Sequence, residues 1–213
     1  MPAGRGAVVK NQKFEMLDDP ELPRVLSGVT LQNCWIFACH YGMTAKTPAE
    51  RRHIRNIDIV GCKATNNSWI GPVIVEDVEI NGFQTGGLCI AWGAAFRHVR
   101  IRGRCGRFML AFLSEAANSP EKIRWFGEAN KRVYEETDWA LDISEGEFEE
   151  FDIRNVPAGL VRRDPETQVV VRRDRAQLTQ EVWRKLDLSG TPWAIALSNM
   201  LEWGREDTVL VAP

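Results

Sequence analysis

The feature that most restricts what this chain can fold into is a seven-residue pattern that returns along its first three quarters. Ser27-Gly28-Val29-Thr30-Leu31-Gln32-Asn33 aligns with Arg55-Asn56-Ile57-Asp58-Ile59-Val60-Gly61, Glu76-Asp77-Val78-Glu79-Ile80-Asn81-Gly82, Arg97-His98-Val99-Arg100-Ile101-Arg102-Gly103 and Glu149-Glu150-Phe151-Asp152-Ile153-Arg154-Asn155. The third and fifth positions are always Val, Ile, Leu or Phe, a period of two that belongs to a half-buried strand. The seventh is always Gly or Asn, the residues that best tolerate the left-handed conformation needed to turn sharply out of a strand. A further apolar residue stands three positions before the third in every copy: Leu26, Ile54, Val75, Phe96 and Phe148.

The copies start at residues 27, 55, 76, 97 and 149, so the shortest unit is 21 residues and the longer intervals carry insertions. A unit of that size holds two or three short strands separated by bends. It cannot bury its apolar side alone, whereas units stacked at ~4.8 Å pair strand to strand and enclose a continuous interior. The pattern resembles the right-handed parallel β-helix, the pectate-lyase-like solenoid family, over roughly residues 27–165. The resemblance implies an all-β solenoid and supplies the handedness. A β-sandwich or a mixed parallel sheet is the alternative that the same alternation allows.

The longest interval contains Ser119-Pro120-Glu121, with serine as an N-cap and proline at the first helical position, where its missing N–H costs nothing. Ile123, Phe126, Asn130 and Tyr134 fall near one face, predicting an excursion helix over about 119–137 that returns at Asp138-Trp139-Ala140-Leu141-Asp142-Ile143. The pattern changes after Asp164-Pro165. Val169-Val170-Val171 reads as a strand, Ala176 to Leu186 as a helix, and Thr191-Pro192-Trp193 as the start of another that stops at Gly204. Its apolar face comprises Trp193, Ala196, Leu197, Met200, Leu201 and Trp203, and Thr208 to Val211 reads as a last strand. The expected organisation is a β-helix over 1–173 and a helical C-terminal cap over 174–213 that covers the open edge. Pro213 follows an apolar run directly, which reads as a truncated end or a partner-binding tail.

Composition narrows the function. With 27 basic and 29 acidic residues, the net charge of −2 argues against a chain built to neutralise phosphates, and so against nucleic acid as a partner. Arg162-Arg163, Arg172-Arg173 and Arg175 form a local basic patch, interleaved with Asp164, Glu166 and Asp174. No run of 18 apolar residues offers a membrane span. Five cysteines at 34, 39, 62, 89 and 105 lack zinc-site spacing and read as reduced interior residues. Charges within the first twenty residues do not suit a signal peptide, and the expected location is cytoplasmic. No metal or cofactor motif stands out. Gly86-Gly87 and Gly103-Arg104-Cys105-Gly106 lack the strand-loop-helix context of a phosphate cradle.

Stacking turns equivalent positions into outward ladders. The fourth position gives Thr30, Asp58, Glu79, Arg100 and Asp152, the second Gly28, Asn56, Asp77, His98 and Glu150, and the sixth Gln32, Val60, Asn81, Arg102 and Arg154. Asp58 and Glu79 would lie ~5 Å apart, close enough to raise one pKa and similar to a retaining glycosidase pair, with Arg100 as an electrostatic stabiliser. The plainer reading is that oppositely charged neighbours are favourable cross-strand pairs on a solvated face. The pectinolytic relatives act through Asn-Thr-Asp, paired-Asp and Gly-His-Gly segments or a calcium-binding Asp cluster with a nearby arginine. None of these occurs here, since Asp18-Asp19 precedes the coil and neither His40 nor His98 is flanked by glycines. The leading expectation is therefore a non-catalytic binding or scaffold protein that engages a protein or glycan partner. Its contacts would be Asp58, Asp77, Glu79, His98, Arg100, Arg102, Asp152 and Arg154, with Trp69 as an exposed anchor in the Asn66-Asn67-Ser68 loop. A carbohydrate-active enzyme using Asp58, Glu79 and Arg100 is the rival, and self-association through the cap or coil edges is a third possibility.

Overall fold

A computed structural model describes residues 6–65, 67–188, 193–202 and 207–211. Asn66, Thr191, Pro192, Trp203, Gly204 and Pro213, to which the sequence assigns a loop, a helix start, a helix face, a helix stop and a tail, lie outside the described residues. The strands are β1 (Ala7–Lys10), β2 (Lys13–Glu15), β3 (Val25–Gln32), β4 (Trp35–Phe37), β5 (His40–Tyr41), β6 (His53–Thr65), β7 (Trp69–Ile70), β8 (Ile74–Trp92), β9 (Ala95–Ala111), β10 (Leu141–Asp142), β11 (Gly146–Ile153), β12 (Val161–Arg162), β13 (Gln168–Arg172) and β14 (Asp207–Val211). The helices are α1 (Pro120–Glu135), α2 (Arg173–Leu178), α3 (Gln180–Trp183) and α4 (Trp193–Glu202).

These strands form one large sheet that is mostly parallel. The register follows the sequence repeat: Val29 pairs with Ile57, Ile57 with Val78 and Val78 with Val99, each at the third position of its copy. Second and third columns of parallel pairs run alongside. One joins Phe14, Ile36 and Ala64; the other joins Tyr41, Ile70, Ala91 and Leu110. The chain turns between columns at Asn33, Gly61, Gly82 and Gly103, all with positive φ, as the seventh position requires.

The second position is also left-handed, at Gly28, Asn56, Asp77 and His98, with φ of 69°, 53°, 52° and 53°. Asn, Asp and His are the non-glycine residues most enriched there, so their choice answers a backbone demand as well as a surface one. A rung the repeat did not reveal precedes the first copy. Ala7 and Val9 pair with Val29 and Leu31, and Asn11 supplies the corner with φ 55°.

Stacking the third position buries Ile57, Val78, Val99, Leu141 and Val161 in one cluster. Directly after the corners, Cys34 and Cys62 stack inside, both free thiols, and the Cys34 N–H donates to Cys62 Sγ at 3.2 Å. Phe83, Phe108, Phe148 and Phe151 continue the interior, with Phe148 and Phe151 ring centroids 4.6 Å apart.

α1 starts as its sequence dictates, the Ser119 hydroxyl accepting from the Lys122 N–H at 3.2 Å with Pro120 in the first turn. Phe126, Asn130 and Tyr134 form its buried face. At the C-terminal end, the stretch read as one helix over 176–186 is broken into α2 and α3. Beyond them β14 pairs antiparallel with β13, and α4 packs Leu197 and Met200 against Ala176, Trp183 and Leu210. Ile101, 5% exposed at the heart of the stack, is the position where truncation tests this packing. Ile101→Ala should lower unfolding free energy by ~2–5 kcal/mol in denaturant titration.

Candidate functional site

The outer face of the first column positions Thr30, Asp58, Glu79 and Arg100 in register, because Thr30 pairs with Asp58, Asp58 with Glu79 and Glu79 with Arg100. The expected adjacency of Asp58 and Glu79 is therefore present, and the Thr30 hydroxyl donates to Asp58 Oδ2 at 3.4 Å. Glu79 is not an isolated acid. Arg102 Nη2 donates to its Oε2 at 2.8 Å, and Arg100 Nη1 lies 3.8 Å from its Oε1.

The next rung corrects the sequence alignment. Arg100 pairs with Asp142, not Asp152, and its Nε donates to Asp142 Oδ2 at 3.2 Å. Asp152 instead pairs with Met109 in the third column, so Asp152 and Arg154 leave the ladder and bind each other there, both side chains largely buried. Glu150 pairs with Arg107 and leaves the second-position ladder for the same reason. The physical cause is a competing match. Glu149 to Asn155 fits the seven-residue pattern, whereas the true rung carries Trp139-Ala140 at its start and delays its glycine to Gly146, which pairs with Gly103.

Asp142 is the most enclosed ladder carboxylate. Burial alone would push its carboxyl up, but the Ser144 hydroxyl and N–H and the Arg100 guanidinium outweigh this and hold it below the usual aspartate value. The ladder thus reads Asp58, Glu79, Arg100, Asp142 from rung to rung, with Arg102 beside it donating to Glu79.

One corner away, His98 joins Asp77 and Asp138. Its Nδ1 is 3.3 Å from Asp77 Oδ1 and its Nε2 is 2.7 Å from Asp138 Oδ1. The His98 hydrogen bond holds the Asp138 carboxyl below its ordinary value. The ring packs 4.9 Å from Trp139, on whose face Arg162 rests at 4.4 Å. Sequence reading named Asp77 and His98 but missed Asp138 and Trp139, which the end of the excursion delivers to this corner. Trp69 is half-buried, 5.6 Å from His40, so it is no free anchor. Within the expected basic patch, Arg163 donates to the Gln168 carbonyl at 2.6 Å and Arg172 Nε is 3.3 Å from Asp174.

Nucleophile chemistry finds no support in the thiols. Cys39 Sγ donates to the Phe14 and Phe37 carbonyls, while the His40 ring meets Asp18 at 2.9 Å and the Asn67 carbonyl at 3.1 Å. Burial pushes the Cys89 thiol up to about 12, far from a reactive thiolate. Among the described residues, no cluster of His, Cys, Asp and Glu is arranged to hold a metal ion, and no helix is long and apolar enough to cross a membrane.

No protein-family model, curated protein or solved structure matches this chain. Because the Asp142 carboxyl is held low in the folded state, its contribution to stability is present above the unfolded aspartate value and is lost as pH falls through the folded one. Asp142→Asn should therefore be less stable than wild type near neutrality, with the gap closing below about pH 4 in denaturation curves taken across pH.

Proposed function

We propose that the chain is a right-handed parallel β-helix acting as a non-catalytic binding scaffold, whose first-column face receives a protein partner of alternating charge. The solenoid reading is supported by three parallel columns in register, turned at recurrent left-handed corners. One observation carries the binding reading: Glu79 is engaged by Arg100 and Arg102, and Arg100 also by Asp142, so the ladder is a charge-paired surface rather than a poised acid and base. Side chains already fixed by neighbours lose little freedom when a partner replaces water over them. The five free cysteines accord with a reducing, cytoplasmic setting.

The adjacency of Asp58 and Glu79 favours a second reading, a glycan hydrolase or lyase. Wild type, Asp58→Asn and Glu79→Gln, each verified as folded, should be assayed on a polysaccharide panel for reducing ends and unsaturated products. Binding to a protein retained from the source lysate should be compared in wild type and Arg100→Glu/Arg102→Glu. The scaffold reading expects no turnover in any form and loss of the partner on charge reversal. Turnover in wild type that both carboxylate variants abolish would replace it with the enzyme reading.

A further inference from the structure

The stretch that runs through α2 and α3 to Leu186 is apolar on two sides. Its inner side carries Ala176 and Trp183, both buried against Leu197 and Met200 of α4, and the Trp183 indole N–H donates to the Ala176 carbonyl at 2.9 Å. Its outer side carries Leu178, Val182 and Leu186, which are 75%, 63% and 58% exposed. Backbone hydrogen bonds continue the turns across them: the Thr179 N–H donates to the Arg175 carbonyl, Trp183 to Thr179 and Leu186 to Trp183. A spacing of four on such a stretch brings the three side chains to one side. Single exposed leucines are ordinary on a protein surface. Three in a line, on a segment whose other side is already buried, mark a contact surface.

The charges beside this stripe indicate what covers it. Glu181 and Lys185 are both exposed and lie along one flank. Lys131 and Glu135, at the same spacing, close an ion pair in α1, whereas among the described residues Glu181 and Lys185 do not. A second copy laid antiparallel, with a two-fold axis at Val182, sets Leu178 over Leu186 of that copy and Val182 over its own equivalent. Such an axis keeps each flank on its own side, so Glu181 falls beside Lys185 of the second copy and Lys185 beside its Glu181. The midpoint of Glu181 and Lys185 is one residue from Val182, only ~1.5 Å along the helix, well within the reach of these side chains. Stripe and flank are therefore self-complementary, as an isologous contact requires. A foreign helix of one charge would meet one of the two flanking residues and repel the other.

We propose that the chain forms an antiparallel two-fold homodimer through Leu178, Val182 and Leu186, closed by reciprocal pairs between Glu181 and Lys185. The contact uses none of the ladder residues, so a dimer carries two ladders. One helix stripe is small for a permanent interface, and the dimer dissociates on dilution.

The test is sedimentation velocity of the full chain from low to high micromolar concentration, which should show a monomer-dimer equilibrium. Val182→Asp lies at the two-fold, on a side chain too exposed for the fold to depend on it, and should raise the dissociation constant by at least about tenfold. Glu181→Lys and Lys185→Glu should each weaken the dimer. The double exchange Glu181→Lys/Lys185→Glu should restore it, a rescue that a general effect on folding would not give. A monomer at every concentration would overturn the proposal and leave the stripe to a foreign helix or to a segment of this chain outside the described residues. A dimer indifferent to Val182→Asp, or a double exchange no tighter than the single variants, would overturn it equally.

Discussion

The structure rests on one constraint: apolar side chains at equivalent positions of successive rungs must stack directly over one another. Parallel pairing at ~4.8 Å places Ile57, Val78, Val99 and Leu141 in contact only if the register is kept, because a slip of one residue would turn every inward side chain outward. Insertions are accommodated where the chain is outside this stack. The excursion between Ala111 and Leu141 carries a whole helix, yet Val99 and Leu141 still meet. The interior fixes the register, and the register fixes which charges face each other outside.

That dependence explains the outer face. Glu79 meets Arg100, and Arg100 meets Asp142, because their inward neighbours are stacked. Each such pair is about a third exposed on the arginine and glutamate side, so individually they are worth at most ~1 kcal/mol. Their consequence is spatial order more than stability. Arg100, held by Glu79 on one side and Asp142 on the other, is a fixed point of charge on this face.

Much of the fold could be read from the residues, and the failures have physical causes. Val29, Ile57, Val78 and Val99 announced their pairing through strict alternation, and Cys34 and Cys62 announced interior stacking by following equivalent corners. The first rung escaped because Val8, the partner of Thr30, is apolar and 54% exposed, which hides the alternation. The fifth rung was misplaced because Phe151-Asp152-Ile153 carries the same alternation in a different column, and a local pattern cannot tell one column from another. The second-position residues Asn56, Asp77 and His98 were read as surface chemistry alone, although left-handed backbone selects the same residue types. Asp138, Asn130 and Arg51 meet their partners only through the excursion, a long-range juxtaposition that no local pattern encodes.

The central claim is the register that sets Arg100 beside Asp142. It is tested most directly by two double-mutant cycles in denaturant unfolding, Arg100→Ala with Asp142→Ala and Arg100→Ala with Asp152→Ala. The account predicts a coupling of roughly 0.5 kcal/mol or more in the first cycle and none beyond error in the second. Coupling to Asp152 with none to Asp142 would contradict it, returning Asp152 to the ladder and removing the rung on which the outer face is built.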